Sequence, residues 1–371
     1  MAFAVIALLV ANSPWGGLYE SIFTTNFTIG YGDGVLSKPL VLWINDGLMA
    51  VFFLVVGLEI KRQLMTGELN SARKAALPAA AALGGLVVPA LLYTLFNQGK
   101  LSQTGWGVPM ATDIAFSLGV LAMLGKRAPL ALKVLLTAVA IVDDLGAVMV
   151  IAVFYTASIK GALLAASVGL IGLAWAFGRA GGRHPVVFGM LGIIAWVFML
   201  KSGVHATIAG VLLAFALPAR QLPHEEEPLG QRWEHALHPW VAFVIMPIFA
   251  LANAGVVVSG GFGHALAQPP SLGIMAGLVL GKPIGIFGMS WLAVKLGLAS
   301  LPTGLAWREV FGMSLLAGIG FTMSLFIADL AFGLTPDLTY AKAGILAGSL
   351  ISGVLGYLYL RFATRHFVTP P

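Results

Sequence analysis

Apolar runs close to twenty residues long follow one another through almost the whole chain, separated only by short polar clusters. A helix needs roughly 20 such residues to cross the ~30 Å hydrocarbon core of a bilayer. Lipid offers the backbone no hydrogen-bond partners, so a spanning segment must satisfy its own N–H and C=O groups. The runs are continuous rather than alternating, which selects helices over barrel strands. They lie near 1–11, 41–60, 75–96, 107–125, 131–156, 161–178, 185–200, 203–218, 239–257, 272–296, 309–332 and 340–361. The expectation is an all-α polytopic membrane protein of about twelve transmembrane helices, one membrane domain over 1–371. The first run would make a helix of only ~16 Å, so that helix is short or its true start lies upstream.

Composition agrees. Hydrophobic residues make up 59% and charged residues 10% of 371 positions, and the mean hydropathy is +0.94. No solvated segment is long enough for a second, soluble domain. Cysteine is absent, which excludes disulfides, thiolate metal sites and cysteine nucleophiles.

The formal charge of +6 is explained by topology rather than by nucleic acid. With both termini in the cytoplasm, the inner side carries Lys61, Arg62, Arg73, Lys74, Lys126, Arg127, Lys133, Arg179, Arg183, Arg220, Arg232, Lys295, Arg308, Arg361 and Arg365. The outer side holds Lys38, Lys100, Lys160, Lys201 and Lys342. That asymmetry follows the positive-inside rule and suits contact with anionic lipid. One outer segment differs from its neighbours. Residues 25–35 alternate on either side of a Gly-rich turn, as a β-hairpin does, and its open edge could pair with that of a second subunit.

The ionisable groups inside the runs carry the functional argument. Adjacent Asp143 and Asp144 sit mid-run, where each aspartate costs roughly 2.5–3.5 kcal/mol to insert. Asp113 and Lys282 lie inside two other runs. Intramembrane charges line a pathway or pair across it. Asp46, Glu59 and Asp329 fall near run ends, where solvation accounts for them, and His205 alone reads as a hydrogen-bonded core histidine. Carboxylates in a low dielectric resist ionisation, and a second acid nearby adds to that, so an acid pair suits a hard monovalent cation competing with protons. Neighbours on a helix diverge by about 100°, so both acids reach one cavity only if it is wide.

Backbone signals mark two places to interrupt a helix. Pro109 precedes Thr112-Asp113 in one run, and Gly318 and Gly320 lie in another, although glycine serves close helix packing equally well. An interruption exposes helix ends of opposite partial charge at mid-membrane, which Asp113 and Lys282 could compensate.

Together these residues form a recognisable series. Trp43-Ile-Asn-Asp-Gly-Leu-Met-Ala-Val-Phe-Phe-Leu-Val-Val-Gly-Leu-Glu-Ile-Lys-Arg62, Ala111-Thr-Asp-Ile-Ala-Phe-Ser-Leu-Gly-Val120, Ala140-Ile-Val-Asp-Asp-Leu-Gly-Ala147, Ser202-Gly-Val-His-Ala-Thr207, Glu234-His-Ala-Leu-His-Pro-Trp240, Gly281-Lys-Pro-Ile-Gly285 and Gly318-Ile-Gly-Phe-Thr-Met-Ser-Leu-Phe-Ile327 closely resemble, in order, the signatures of the NhaA-type sodium/proton antiporters.

The resemblance covers nearly the whole chain. It implies inverted-topology repeats, two crossing discontinuous helices (the fourth and eleventh), a homodimer through the outer hairpin, and residence in the bacterial cytoplasmic (inner) membrane. It implies no cofactor, only transported Na⁺ or Li⁺ and H⁺. Asp144 would be the direct sodium ligand, with Asp143 either a second ligand or the partner of Lys282. Asp113 and Lys282 would compensate the broken helices, and Thr112 would support the site. Whether Asp143 or Lys282 carries the second proton stays open. Glu59, Glu234, His235 and His238, with His205, would sense pH. Two departures stand out: Gln63 replaces an acid expected in that cluster, and Asp329 adds a carboxylate where a small polar residue is expected.

The implied activity is pH-regulated, electrogenic Na⁺(Li⁺)/H⁺ exchange by alternating access. An acid-lined cation channel is the nearest alternative. An intramembrane aspartyl protease would need its acids on facing helices, and a serine-type hydrolase would rest on the weak Ser202/His205 context alone.

Overall fold

The computed structural model describes residues 2–30, 35–67, 69–156, 159–221, 225–257, 261–333 and 335–364. The Tyr31-Gly-Asp-Gly turn of the expected hairpin and Arg365 lie outside these. Eight described helices are long and apolar enough to cross a membrane, and three bent helix pairs raise the number to eleven if each pair is one span.

Helix α1 (Ala2–Ala11) turns by 111° into α2 (Gly16–Thr24), so the short first run continues at a sharp angle instead of crossing alone. Gly16 permits the corner, because a Cβ there would stand 2.5 Å from the Ala11 carbonyl oxygen. Strands β1 (Asn26–Ile29) and β2 (Leu36–Pro39) then pair antiparallel, Asn26 opposite Pro39 and Ile29 opposite Leu36; this bears out a small antiparallel two-stranded sheet, with its second strand just past the expected 25–35. Long helices follow: α3 (Leu40–Met65) and α4 (Ala72–Asn97). A ten-residue 3₁₀ segment, Leu101–Met110, is bent by 44° from α5 (Ile114–Ala122).

After that come α6 (Leu130–Phe154), α7 (Gly161–Arg179), α8 (Pro185–Ser202), α9 (Thr207–Ala216), α10 (Leu229–Asn253) and α11 (Pro269–Lys295). The pair α12 (Trp307–Leu316) and α13 (Phe321–Phe332) bends by 48°, and α14 (Pro336–Ala363) closes the chain. The run expected over 203–218 is thus only a ten-residue helix. Gly203, at φ +89°, stops α8 on one side, and Pro218 follows on the other, where a preceding residue is pushed out of helical conformation.

Local chemistry sets the other boundaries. Pro185, Pro269 and Pro336 open their helices, where the missing N–H costs nothing. Inside α11, Pro283 cannot give the Val279 carbonyl its hydrogen bond, and the helix widens into a π turn over Gly277–Gly281. Similar turns occur at Ile44–Leu48 in α3 and Val241–Ile245 in α10.

Two compact units divide the chain: 1–62 with 151–257, and 63–150 with 258–371. In the first, Leu54 and Leu58 of α3, Phe188 of α8, Leu213 of α9 and Leu229 of α10 share a buried cluster. In the second, α4 and α11 touch backbone to backbone. A Cβ on Gly285 would lie 2.5 Å from the Gly84 carbonyl carbon, and one on Gly281 would lie 2.8 Å from Pro89 Cα. Small residues in such a ridge let helices approach closely in lipid, and this ridge carries Lys282.

Candidate cation site

Four charges expected to matter come together in the second unit. Asp143 and Asp144 lie midway along α6 and are 1% and 2% exposed; Asp113 and Lys282 are equally buried. Lys282 Nζ donates to Asp143 Oδ2 at 2.7 Å, and Asp144 also acts on the ammonium electrostatically. Packing of α11 on α4 delivers the lysine: Gly85, next in sequence to the closest approach at Gly84, stands 3.6 Å from Nζ when given a Cβ. A buried ion pair of this geometry offsets much of its desolvation cost, whereas either partner alone would be an uncompensated charge.

The two interruptions meet beside this pair. At the first, Ala111–Asp113 is extended between the 3₁₀ segment and α5. Its Asp113 N–H donates to Ile319 O at 2.6 Å, in the second interruption, and the Thr112 hydroxyl donates to Ala317 O at 2.8 Å. The Asp113 carboxylate accepts the Phe116 N–H at 3.1 Å at the start of α5, and the Thr322 N–H at 3.1 Å at the start of α13. It also accepts the Thr322 hydroxyl. One side chain therefore caps two helices at their positive ends. Thr112 lies within hydrogen-bonding reach of the buried Asp143 carboxylate. Carboxylate, hydroxyl and carbonyl oxygens are the donors a hard cation takes.

Sequence reasoning placed these four charges and Thr112, but it gave no role to Thr322, Ser324 or Ser349. Ser324 Oγ donates to Val108 O at 2.8 Å, and Ser349 Oγ accepts the Phe321 N–H at 3.0 Å. A hydroxyl just after Gly318-Ile-Gly320 was the available signal, since such residues tie off freed backbone groups.

Comparison with known proteins gives the family. Residues 1–360 match the family described as Na⁺/H⁺ antiporter 1. The chain is 52% identical to the Na(+)/H(+) antiporter NhaA of Rhodospirillum rubrum, over 99% of this chain and 94% of the relative. It is 50% identical to Na(+)/H(+) antiporter NhaA 2 of Erythrobacter litoralis, over 97% and 89%. It belongs to the NhaA family of Na⁺/H⁺ antiporters.

This antiporter is accordingly a multi-pass membrane protein that exchanges Na⁺ for H⁺; it is a transporter without a cofactor and not an enzyme. Its candidate pH-sensing residues are brought together only in part. In the first unit, Arg62 Nε reaches Glu234 Oε1 at 3.0 Å and Oε2 at 3.2 Å, and Arg62 Nη2 lies 3.9 Å from Glu59. His238 is close enough to act on Glu59 electrostatically. His235, in contrast, is largely exposed and meets Glu227 at 3.0 Å. His205 Nε2 sits 2.7 Å from Tyr155 O, with Asp46 and Lys38 as its charged neighbours. Asp46 pairs with Lys38 at 3.0 Å, and Asp329 with Lys342 at 3.3 Å. Arg62, which holds Glu234, was read only as an inner-side cation.

Proposed function

We propose that the chain is one transport domain that extrudes Na⁺, or Li⁺, by alternating access, with Asp144 as the direct cation ligand and Asp143 as its exchangeable neighbour. The observation that carries this reading is the buried Asp143–Lys282 pair (2.7 Å) with Asp144 next to it in sequence. When Na⁺ occupies the acids, their negative charge is shared between cation and ammonium. When protons occupy them, Na⁺ has nothing to hold it. Two titrating groups for one monovalent cation make the exchange electrogenic, so membrane potential drives it alongside the proton gradient. Asp113 and Lys282 compensate the ends of two crossing discontinuous helices, within a fold of about twelve helices in inverted repeats. Glu59, Glu234 and His238, joined by Arg62, tune activity with pH, and His235 and His205 act from separate positions.

The charge asymmetry of the loops supports both termini in the cytoplasm of a bacterial inner membrane. The β1/β2 edge supports a homodimer, and the basic inner loops support contact with anionic lipid. The test is reconstitution in vesicles with an imposed pH gradient. Added Na⁺ should collapse the gradient at a rate set by membrane voltage, and Asp144→Asn should abolish the response. Sodium-independent collapse would indicate a channel or leak, and unchanged exchange in Asp144→Asn would refute the assignment.

A further inference from the structure

A cavity of about 620 Å³ opens in the second unit where the starts of α4 and α6 meet the segment after α11, and none of the four central charges lines it. Its lining is of two kinds. Arg73 and Lys74, from the first turn of α4, and the exposed hydroxyl residues Ser300 and Thr303 are polar; Leu130, Val134 and Ala138, from the first three turns of α6, are apolar. Leu130 is 75% and Val134 37% exposed, so the outer part of the apolar wall faces outward, where hydrocarbon lies around a spanning helix, while Ala138 and Leu135 are buried at its inner part. Neither cation has an ion pair among the described residues. The α4 N-terminus, capped by Ser71, adds its positive end. Lys126, Arg127 and Lys133 flank the α6 residues in the chain.

We propose that this cavity seats one anionic phospholipid. Its phosphate lies at Arg73 and Lys74, within reach of the Ser300 and Thr303 hydroxyls, and an acyl chain lies along Leu130, Val134 and Ala138. The chemistry is that of any anionic phosphate with an attached apolar chain: point charges and hydroxyls hold the head, and methylene burial holds the tail. Nothing in it depends on how the ion site works, since it needs only that the chain spans a membrane.

The test uses the full-length protein in detergent, titrated separately with phosphatidylglycerol, phosphatidylcholine and inorganic phosphate. Retained lipid is read by native mass spectrometry, and thermal stability is read in parallel. Wild type should retain one phosphatidylglycerol in preference to phosphatidylcholine and be stabilised by it. Arg73→Gln/Lys74→Gln should weaken that binding about thirtyfold, at about fivefold for each surface cation removed. Ala131→Trp, which fills the apolar side and keeps both cations, should also lose the retained lipid. Na⁺-driven proton flux in pure phosphatidylcholine vesicles shows that both variants are folded. Equal retention of the two lipids by wild type, or unchanged phosphatidylglycerol binding in both variants, overturns the proposal. Stabilisation by inorganic phosphate that matches the lipid's overturns it in favour of a soluble anion.

Discussion

Replacing Asp113 by Asn should loosen two helix starts, its own and one at Thr322, 209 residues further along the chain. The carboxylate accepts a backbone N–H at each, both at 3.1 Å, and it is 1% exposed. Asparagine keeps the volume but turns one acceptor into an NH₂ group that faces an N–H, and it removes the charge from both positive ends. A hydrogen bond to a charged group contributes about 1.5–3 kcal/mol, and a charge at a helix N-terminus about 0.3–1 kcal/mol, more when partly buried. Losing one bond, weakening the other and neutralising two interactions comes to about 3 kcal/mol after the lower desolvation cost of the amide. At 1.4 kcal/mol per factor of ten, local opening should become about a hundredfold more frequent. Hydrogen exchange read by mass spectrometry on peptides covering Phe116 and Thr322 measures this directly. Both should speed up together. Faster exchange at only one of them, or no change at either, would refute the idea that one carboxylate holds both.

Three further outcomes follow from the packing. Lys282→Met strands Asp143 in a buried site and should cost about 3–5 kcal/mol, whereas Asp143→Asn/Lys282→Met should recover most of that loss; thermal unfolding of the two single variants and the double variant measures the coupling. Gly285→Ala forces a Cβ into the Gly84 backbone and should lower the unfolding temperature by the equivalent of about 1–3 kcal/mol. Gly288→Ala, with nothing within 4 Å of the new atom, should be neutral or slightly stabilising. Asn45 and Asn253 exchange side-chain hydrogen bonds at 2.8 and 3.2 Å in a buried pair, so Asn253→Leu should cost about 1–3 kcal/mol by removing both of these bonds from a buried amide. The double change to Leu should cost less than the sum, as read by thermal unfolding.

Some positions announce themselves in sequence because they violate a local rule. Asp143, Asp144, Asp113 and Lys282 stand out as charges in apolar runs, and Pro109 and the Gly318/Gly320 pair mark breaks that the structure places at bends of 44° and 48°. Other features obey local rules and stay hidden. Thr322 and Ser349 look like ordinary small polar residues of membrane helices, and their value lies in which freed backbone group they meet. The ten-residue α9 and the 111° corner after α1 were unreadable because hydropathy counts apolar residues whether or not the helix continues through them. Arg62 was likewise counted as a topology signal, while its Nε–H, shared between both carboxylate oxygens of Glu234, depends on where α10 lies beside α3.

Sequence by itself determined the class of the protein. Run length and the absence of backbone partners in lipid leave only spanning helices, and the insertion cost of charge marks the candidate site. Only the tertiary structure decided the partnerships. Lys282 reaches Asp143 from 139 residues away because Gly84 and Gly285 let two helix backbones touch, and Asp113 caps α13 as well as its own helix because the two breaks lie against each other. Periodicity fixes which face a residue occupies along one helix. It carries no information about which other helix that face will meet.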